Sequence, residues 1–218
     1  MSKLDLGNNE FINYEFHENP RGNTIVFSNS LGSDLSMWDP QVEYFKDNYQ
    51  IICYDKRGHG KSSPIQGPYT FDMLENDVIS IMDEIGIDKV HFVGLSMGGM
   101  TSLGLALKHS NRFDKLVCCA ARADMPPPAI EAWDQRMAVV EDKGTQGVVQ
   151  GSLERWFSDK FRNDVANNHI LEKAEEMIKS TSTNGYIGSC NAIKGLDYLR
   201  ELGKIKKDFL YISGENDV

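Results

Sequence analysis

The feature that most constrains this chain is a cluster of glycines around one serine, Gly94-Leu95-Ser96-Met97-Gly98-Gly99. A short apolar run, 90–94, leads straight into it, and an apolar helical stretch, 98–109, leads straight out. A strand that turns directly into a helix leaves no room for side chains beside the turn, so glycines are needed on both flanks. Such a turn lifts the serine hydroxyl above the sheet and sets the helix N-terminus next to it. The G-x-S-x-G spacing is weak by itself, because a glycine-rich connection can carry an incidental serine. Its position between two regular elements makes Ser96 a candidate nucleophile.

The rest of the chain supplies a sheet for that turn. Thr24–Ser28 and Gln50–Tyr54 read as buried strands, and 11–16 as a further strand blurred by Asn13 and Tyr14. The segment 37–46 reads as a helix with Asp34 or Ser36 as its N-cap. Phe71–Ile85 reads as a longer helix, with Leu74, Val78, Ile81, Met82 and Ile85 in helical period and Gly86 as its cap. A strand over 115–121 follows. This alternation predicts an α/β fold, a mostly parallel sheet with helices on both faces.

The rhythm breaks at Asp124. From there to about Leu202 only helical stretches occur. One carries the stripe Ile130, Trp133, Met137 and Val140 with Arg136 beside it, a second is marked by Leu153, Trp156 and Phe157, and a third by Ile170, Leu171, Ala174, Met177 and Ile178. An all-helical insertion in such a sheet packs over the active-site edge as a lid. A strand over 208–213 resumes the sheet. The chain thus divides into the N-terminal part of a core at 1–123, a helical lid and return helix at 124–202, and a core strand with its turn at 203–218.

Composition narrows the partners. A formal net charge of -9 argues against nucleic acid or an anionic membrane, both of which demand a basic face. A small anionic substrate stays open, because a few local arginines can override the global sign. No apolar run approaches the roughly 20 residues that span a bilayer, and the first residues do not read as a secretory signal. Cys53, Cys118, Cys119 and Cys190 include no C-x-x-C pair and read as reduced core thiols. A cytoplasmic enzyme is expected, with no metal and no cofactor.

Two further segments bear on the chemistry. Asn29-Ser30-Leu31-Gly32-Ser33 follows the strand Thr24–Ser28, where an oxyanion loop belongs. The backbone N–H groups of Leu31 and Met97 are the natural donor pair, each worth roughly 3–4 kcal/mol to a transition state. Asp55-Lys56-Arg57-Gly58-His59-Gly60-Lys61-Ser62 follows the next strand. It would make His59 a base, or else a turn held by Asp55 and Arg57 around a packed histidine. The second reading is favoured because the segment precedes the nucleophile.

Together these motifs resemble the α/β-hydrolase superfamily, and within it the 3-oxoadipate enol-lactonase group. The resemblance rests on the segment from Asn29 to Gln41, on Trp133 with Arg136, and on Gly185-Tyr186-Ile187 with Cys190 and Ala192-Ile193. It implies a serine attack on a five-membered unsaturated lactone bearing a carboxylate, in the β-ketoadipate route of aromatic catabolism; hydrolysis of another small ester, or ligand binding without catalysis, are the alternatives. A substrate carboxylate needs a cationic partner, for which Arg122, Arg136 and Arg155 are the candidates, with Trp133 in the same pocket.

In this fold the triad runs serine, acid, histidine. Gly214-Glu215-Asn216-Asp217 resembles the family's acid turn, so Asp217 is the expected acid and Asp124 the alternative; Asp124 would otherwise cap the first lid helix. The five histidines, His17, His59, His91, His109 and His169, all precede Asp217. The C-terminal strand, histidine and helix are therefore expected in about 40 residues beyond Val218, a length set by the missing elements.

Overall fold

A computed structural model describes residues 2–20, 22–215 and 217. Its first element is a hairpin. β1 (Ser2–Gly7) and β2 (Glu10–His17) run antiparallel, with Leu4 opposite Ile12. Asn8 and Asn9 between them both adopt positive φ, 53° and 62°, a conformation asparagine tolerates and the tight hairpin turn requires. This first strand was not anticipated.

β3 (Thr24–Ser28) is buried along its whole length. A 3-10 turn at Leu35–Trp38 and α1 (Asp39–Phe45) lead to β4 (Gln50–Tyr54). The expected helix over 37–46 thus opens as a tighter turn. Asp34 caps it, accepting from the Ser36 N–H at 2.9 Å, so Ser36 is the capped residue and not the cap. α2 (Phe71–Ile85) starts at Thr70, whose hydroxyl accepts from Met73 N–H, and ends at Gly86 in the left-handed region. β5 (Val90–Leu95), α3 (Met97–Lys108) and β6 (Phe113–Cys119) follow. β6 stops at Cys119 instead of 121 because Ala120 turns to φ 46° and its N–H leaves for the carbonyl of Ile212.

The next five helices are α4 (Pro127–Lys143), α5 (Val149–Trp156), α6 (Asp159–Arg162), α7 (Asn168–Ser180) and α8 (Thr183–Lys194). β7 (Asp208–Ile212) then pairs in parallel with β6. Asp124 does not cap α4, whose N-cap is Pro126 with no side-chain bond. It forms an isolated bridge to Asp197 instead.

The sheet order is β1-β2-β4-β3-β5-β6-β7, parallel from β4 to β7. The chain steps from β3 to β4 in one direction, then crosses back through α2 to β5 on the other side of β3. The loops that follow β3 and β5 therefore lie side by side at the carboxyl ends of the strands, the switch point where open α/β sheets bind ligands. α2 and α3 cover one face, through Val78, Ile81, Met82 and Leu105 against Ile52, Phe92 and Leu116. α1 and the 3-10 turn cover the other, through Trp38 and Phe45 against Ile25, Phe27 and Ile51. Each such buried side chain contributes about 1.5–3 kcal/mol. A third cluster joins Leu31, Met97 and Met100 to Val140, Ile178, Tyr186 and Cys190, and so ties the helical insertion to the carboxyl ends of the strands. No helix among the described residues is long and apolar enough to cross a membrane.

Candidate active site

Ser96 occupies the single residue between β5 and α3. Its backbone sits at φ 53°, ψ −111°, a region that costs a non-glycine residue about 1–3 kcal/mol. The strain is held from several sides. Its N–H donates to the carbonyl of Cys119 at 2.8 Å, and its own carbonyl accepts from Met100 N–H at 2.8 Å. The surrounding glycines admit no side chain. A Cβ on Gly94 would stand 2.6 Å from the Gly99 nitrogen, one on Gly98 2.7 Å from the Ser28 carbonyl carbon, and one on Gly99 2.8 Å from Ala121 Cβ. The serine itself is half-buried, and its hydroxyl takes part in no hydrogen bond among the described residues.

The loop after β3 rests directly on this turn. Asn29 Nδ2 donates to the Ser33 carbonyl at 2.7 Å, and Ser33 Oγ to the Ser30 carbonyl at 3.0 Å. These bonds close a compact loop around Leu31 and Gly32. Leu31 and Met97 share one buried cluster, and neither N–H donates to any group among the described residues. The Met97 N–H lies at a helix N-terminus, where the backbone favours negative charge. Gly32, at φ 75°, faces Ile178 and Tyr186, each 3.5 Å from where its Cβ would be. Helices α7 and α8 therefore close over the loop.

The segment after β4 is a structural turn. The Asp55 carboxylate accepts from Asn13 Nδ2 at 2.8 Å, Leu35 N–H at 2.7 Å and Lys61 N–H at 2.9 Å. Arg57 makes a bidentate pair with Asp77 at 2.6 and 2.7 Å. His59 is wholly buried, its Nδ1 2.9 Å from the Arg57 carbonyl. Burial, first of all, pushes its pKa down to about 4, and the nearby Lys56 adds to the effect. Gly58 packs backbone to backbone on Gly185, and its carbonyl accepts from Ser182 N–H at 2.9 Å. Sequence reasoning passed over one member of this turn. Lys56 is completely buried and donates from Nζ to the carbonyl of Asn29. No periodicity marks an inward-facing residue in an irregular turn, so no signal in the sequence pointed to it.

Asp217 is exposed in the turn after β7, with its N–H 3.3 Å from the Gly214 carbonyl. It is close enough to Tyr211 to help raise that phenol's pKa, after burial. β5, β6 and β7 are neighbouring strands, which puts the turn that carries Asp217 about 10 Å across the sheet from the turn that carries Ser96. The other histidines lie elsewhere. His17 pairs with Ile51 at the entry to β4, His91 pairs with Ile25 near the start of β5, His109 ends α3, and His169 is exposed on α7.

The three arginines separate clearly. Arg122 is exposed and stands 3.8 Å from Asp124, and Arg155 is exposed on α5. Arg136 is half-buried, with its guanidinium 4.8 Å from the centroid of the Trp133 ring. Burial raises the Tyr186 hydroxyl to about 12 and the Cys190 thiol to about 12, and in both cases Arg136 opposes the rise. Arg136 is thus the arginine that reaches the buried cluster shared with Leu31 and Met97. Among the described residues no group of three or more histidine, cysteine or acidic side chains could hold a metal.

The sequence matches the alpha/beta hydrolase fold family over residues 23–217. It is 38% identical to 3-oxoadipate enol-lactonase 2 of Acinetobacter baylyi over 193 residues, which are 88% of this chain and 71% of that one. An enol-lactonase structure from Burkholderia xenovorans superposes with a TM-score of 0.88 at 35% identity, covering 95% of this chain and 79% of the other. A hydrolase structure from Pseudomonas aeruginosa gives 0.90 at 30% identity, over 98% and 79%.

Proposed function

The chain belongs to the alpha/beta hydrolase family, and on that premise we propose that Ser96 is the nucleophile of a lactone hydrolase acting on a carboxylate-bearing enol-lactone, 3-oxoadipate enol-lactone first among them. The observation that carries the reading is the strained Ser96 backbone between a strand and a helix, with the unbonded Met97 N–H next in the chain and Leu31 packed in the same buried cluster as Met97. Likeness to enol-lactonases at 38% and 35% identity supports the substrate class.

In this reading Ser96 Oγ adds to the lactone carbonyl, and the oxyanion takes the two N–H bonds. The ring C–O bond then breaks. The leaving oxygen is an enolate, which departs more readily than an alkoxide and stays tethered to the acyl group. Ketonisation of the enolate takes up at carbon one proton, equal to the one Ser96 Oγ gave up, and water then cleaves the acyl-enzyme, its oxygen ending in the free carboxylate and one of its protons restoring the Ser96 hydroxyl. Arg136, backed by Trp133, holds the substrate carboxylate in the apolar cluster under the insertion, which serves as a lid. Asp217 is the acid of the triad. Its partner in the family's order is a histidine following the acid turn, and none of the five histidines present follows Asp217.

The test is made on the full-length gene product. A fluorophosphonate probe should label Ser96 and fail on Ser96→Ala, and enol-lactone absorbance should decay faster than simple aryl esters are turned over. A probe that leaves Ser96 unmodified would sink the nucleophile and leave a ligand-binding role. Labelling combined with a preference for aryl esters would keep the nucleophile and move the substrate to another small ester.

A further inference from the structure

A fully buried lysine needs a reason. Removing an ammonium from water costs several kcal/mol, and an apolar side chain of similar size would fill the space at no such cost. Lys56 is 0% exposed. The carboxylate beside it, Asp55, is occupied by Asn13, Leu35 and Lys61, and Lys56 directs its own donor to a backbone carbonyl, that of Asn29.

The location of that carbonyl is informative. Asn29 is the first residue after β3, and its side chain closes the loop onto Ser33. Ser28, just before it, is fixed twice. Its hydroxyl lies 2.7 Å from Tyr54 Oη, and its carbonyl abuts Gly98 of the nucleophile turn. The Tyr54 ring in turn lies under Lys56 Nζ, at 5.7 Å. One peptide plane of the loop is thus gripped by Lys56 from the turn after β4, two residues before Leu31. A short loop has few free dihedrals, so fixing the Asn29 carbonyl constrains where the next N–H groups point.

We infer that Lys56 is a positioning residue of the oxyanion hole: by anchoring the Asn29 carbonyl it aims the Leu31 N–H at the oxygen that becomes charged in the reaction. The inference rests on the reading of Ser96 given above. Burial lowers the Lys56 pKa to about 7, against the pull of the Asp55 carboxylate. The anchor survives this, because both the ammonium and the amine have N–H groups to donate.

The test uses full-length protein carrying Lys56→Met or Lys56→Gln, whose donor stops one bond short of the lysine nitrogen. Each is compared with wild type for kcat and KM on the enol-lactone. Each is also compared for binding of an alkyl boronic acid, which forms a tetrahedral adduct on Ser96, and of adipate, which offers two carboxylates and no tetrahedral centre. A misplaced oxyanion donor should lower kcat by roughly 10- to 100-fold and weaken the boronic acid by the same factor. KM and adipate binding should stay within about threefold, since ground-state binding does not use the hole. Two variants are measured so that either one, if folded by its melting profile, decides the matter. Boronic acid affinity unchanged in a folded variant overturns the inference, as does a loss shared equally by adipate. Wild-type protein that fluorophosphonate does not label at Ser96 would instead overturn the assignment of the nucleophile, a separate outcome.

Discussion

Gly98 meets the Ser28 carbonyl so closely that a methyl group at position 98 would stand 2.7 Å from the Ser28 carbonyl carbon and 2.9 Å from its Oγ. The obstacle on one side is backbone, which cannot swing aside as a flexible side chain can. Gly98→Ala should therefore push the start of α3 away from β3 and separate the Met97 N–H from Leu31. Overpacking of this kind costs about 1–3 kcal/mol. The expected result is a lower melting temperature together with a fall of at least about tenfold in the labelling rate of Ser96. A folded Gly98→Ala protein that is labelled at the wild-type rate would contradict this account of the turn.

Ser96 pays for its position in backbone strain, at φ 53° and ψ −111°. Glycine adopts that region freely, although it also loses more chain entropy on folding. Ser96→Gly should abolish labelling and turnover while raising stability by about 1 kcal/mol, read as a higher midpoint in urea. A variant less stable than wild type would show that the serine side chain supports the fold.

Arg136 should separate substrates by charge. Arg136→Met should raise KM for the carboxylated lactone by about 10- to 100-fold, the worth of a lost charge-assisted bond. Neutral aryl esters should change by less than about threefold. Arg122→Met and Arg155→Met, both at exposed positions, should leave the two substrates alike. Equal losses on both substrates at position 136 would make Arg136 a packing residue only.

His59 should leave its mark on acid stability and not on the nucleophile. Its folded pKa lies near 4, against 6.5 for a free imidazole. As pH falls below 6.5, the unfolded chain takes up a proton that the folded chain refuses. The stability that His59 confers at neutral pH is therefore lost between pH 6.5 and pH 4. Thermal melts of wild type should fall more steeply over that window than those of His59→Gln. Labelling of Ser96 at pH 7.5 should be the same in both proteins. A parallel pH dependence in the two would mean that the buried imidazole is protonated with the fold intact.

The sheet was largely legible because its strands announce themselves. Thr24–Ser28 and Gln50–Tyr54 are β-branched and apolar, and both emerged with the expected ends. Phe71–Ile85 was equally clear, since its helical period, Thr70 and Gly86 agree with one another. β1 escaped because its alternation is short and its turn is Asn8-Asn9, without the glycine that usually marks a tight hairpin. The end of β6 moved because Ala120 adopts a positive φ that nothing about alanine advertises. At the site, Ser96 and the loop 29–33 were readable from glycine spacing and strand context. The pairing of Trp133 with Arg136 was implied by the family resemblance, and the structure places the two side chains together. Lys56 was not readable, because its burial follows from how the turn after β4 folds beneath the neighbouring loop, a tertiary fact.

β6 sets a common ruler for the chemistry on either side of it. Ser96 reports its height to Cys119, and Ala120, one residue on, reports to Ile212 at the end of β7. Nothing in that chain of contacts passes through the five helices that separate β6 from β7 in sequence. The spacing between the Ser96 turn and the turn after β7 is thus set by backbone bonds within the sheet itself. Transplanting only the α4–α6 segment of a relative with different preferences should alter which acyl compounds are admitted and leave the strand-to-helix turn at Ser96 in place.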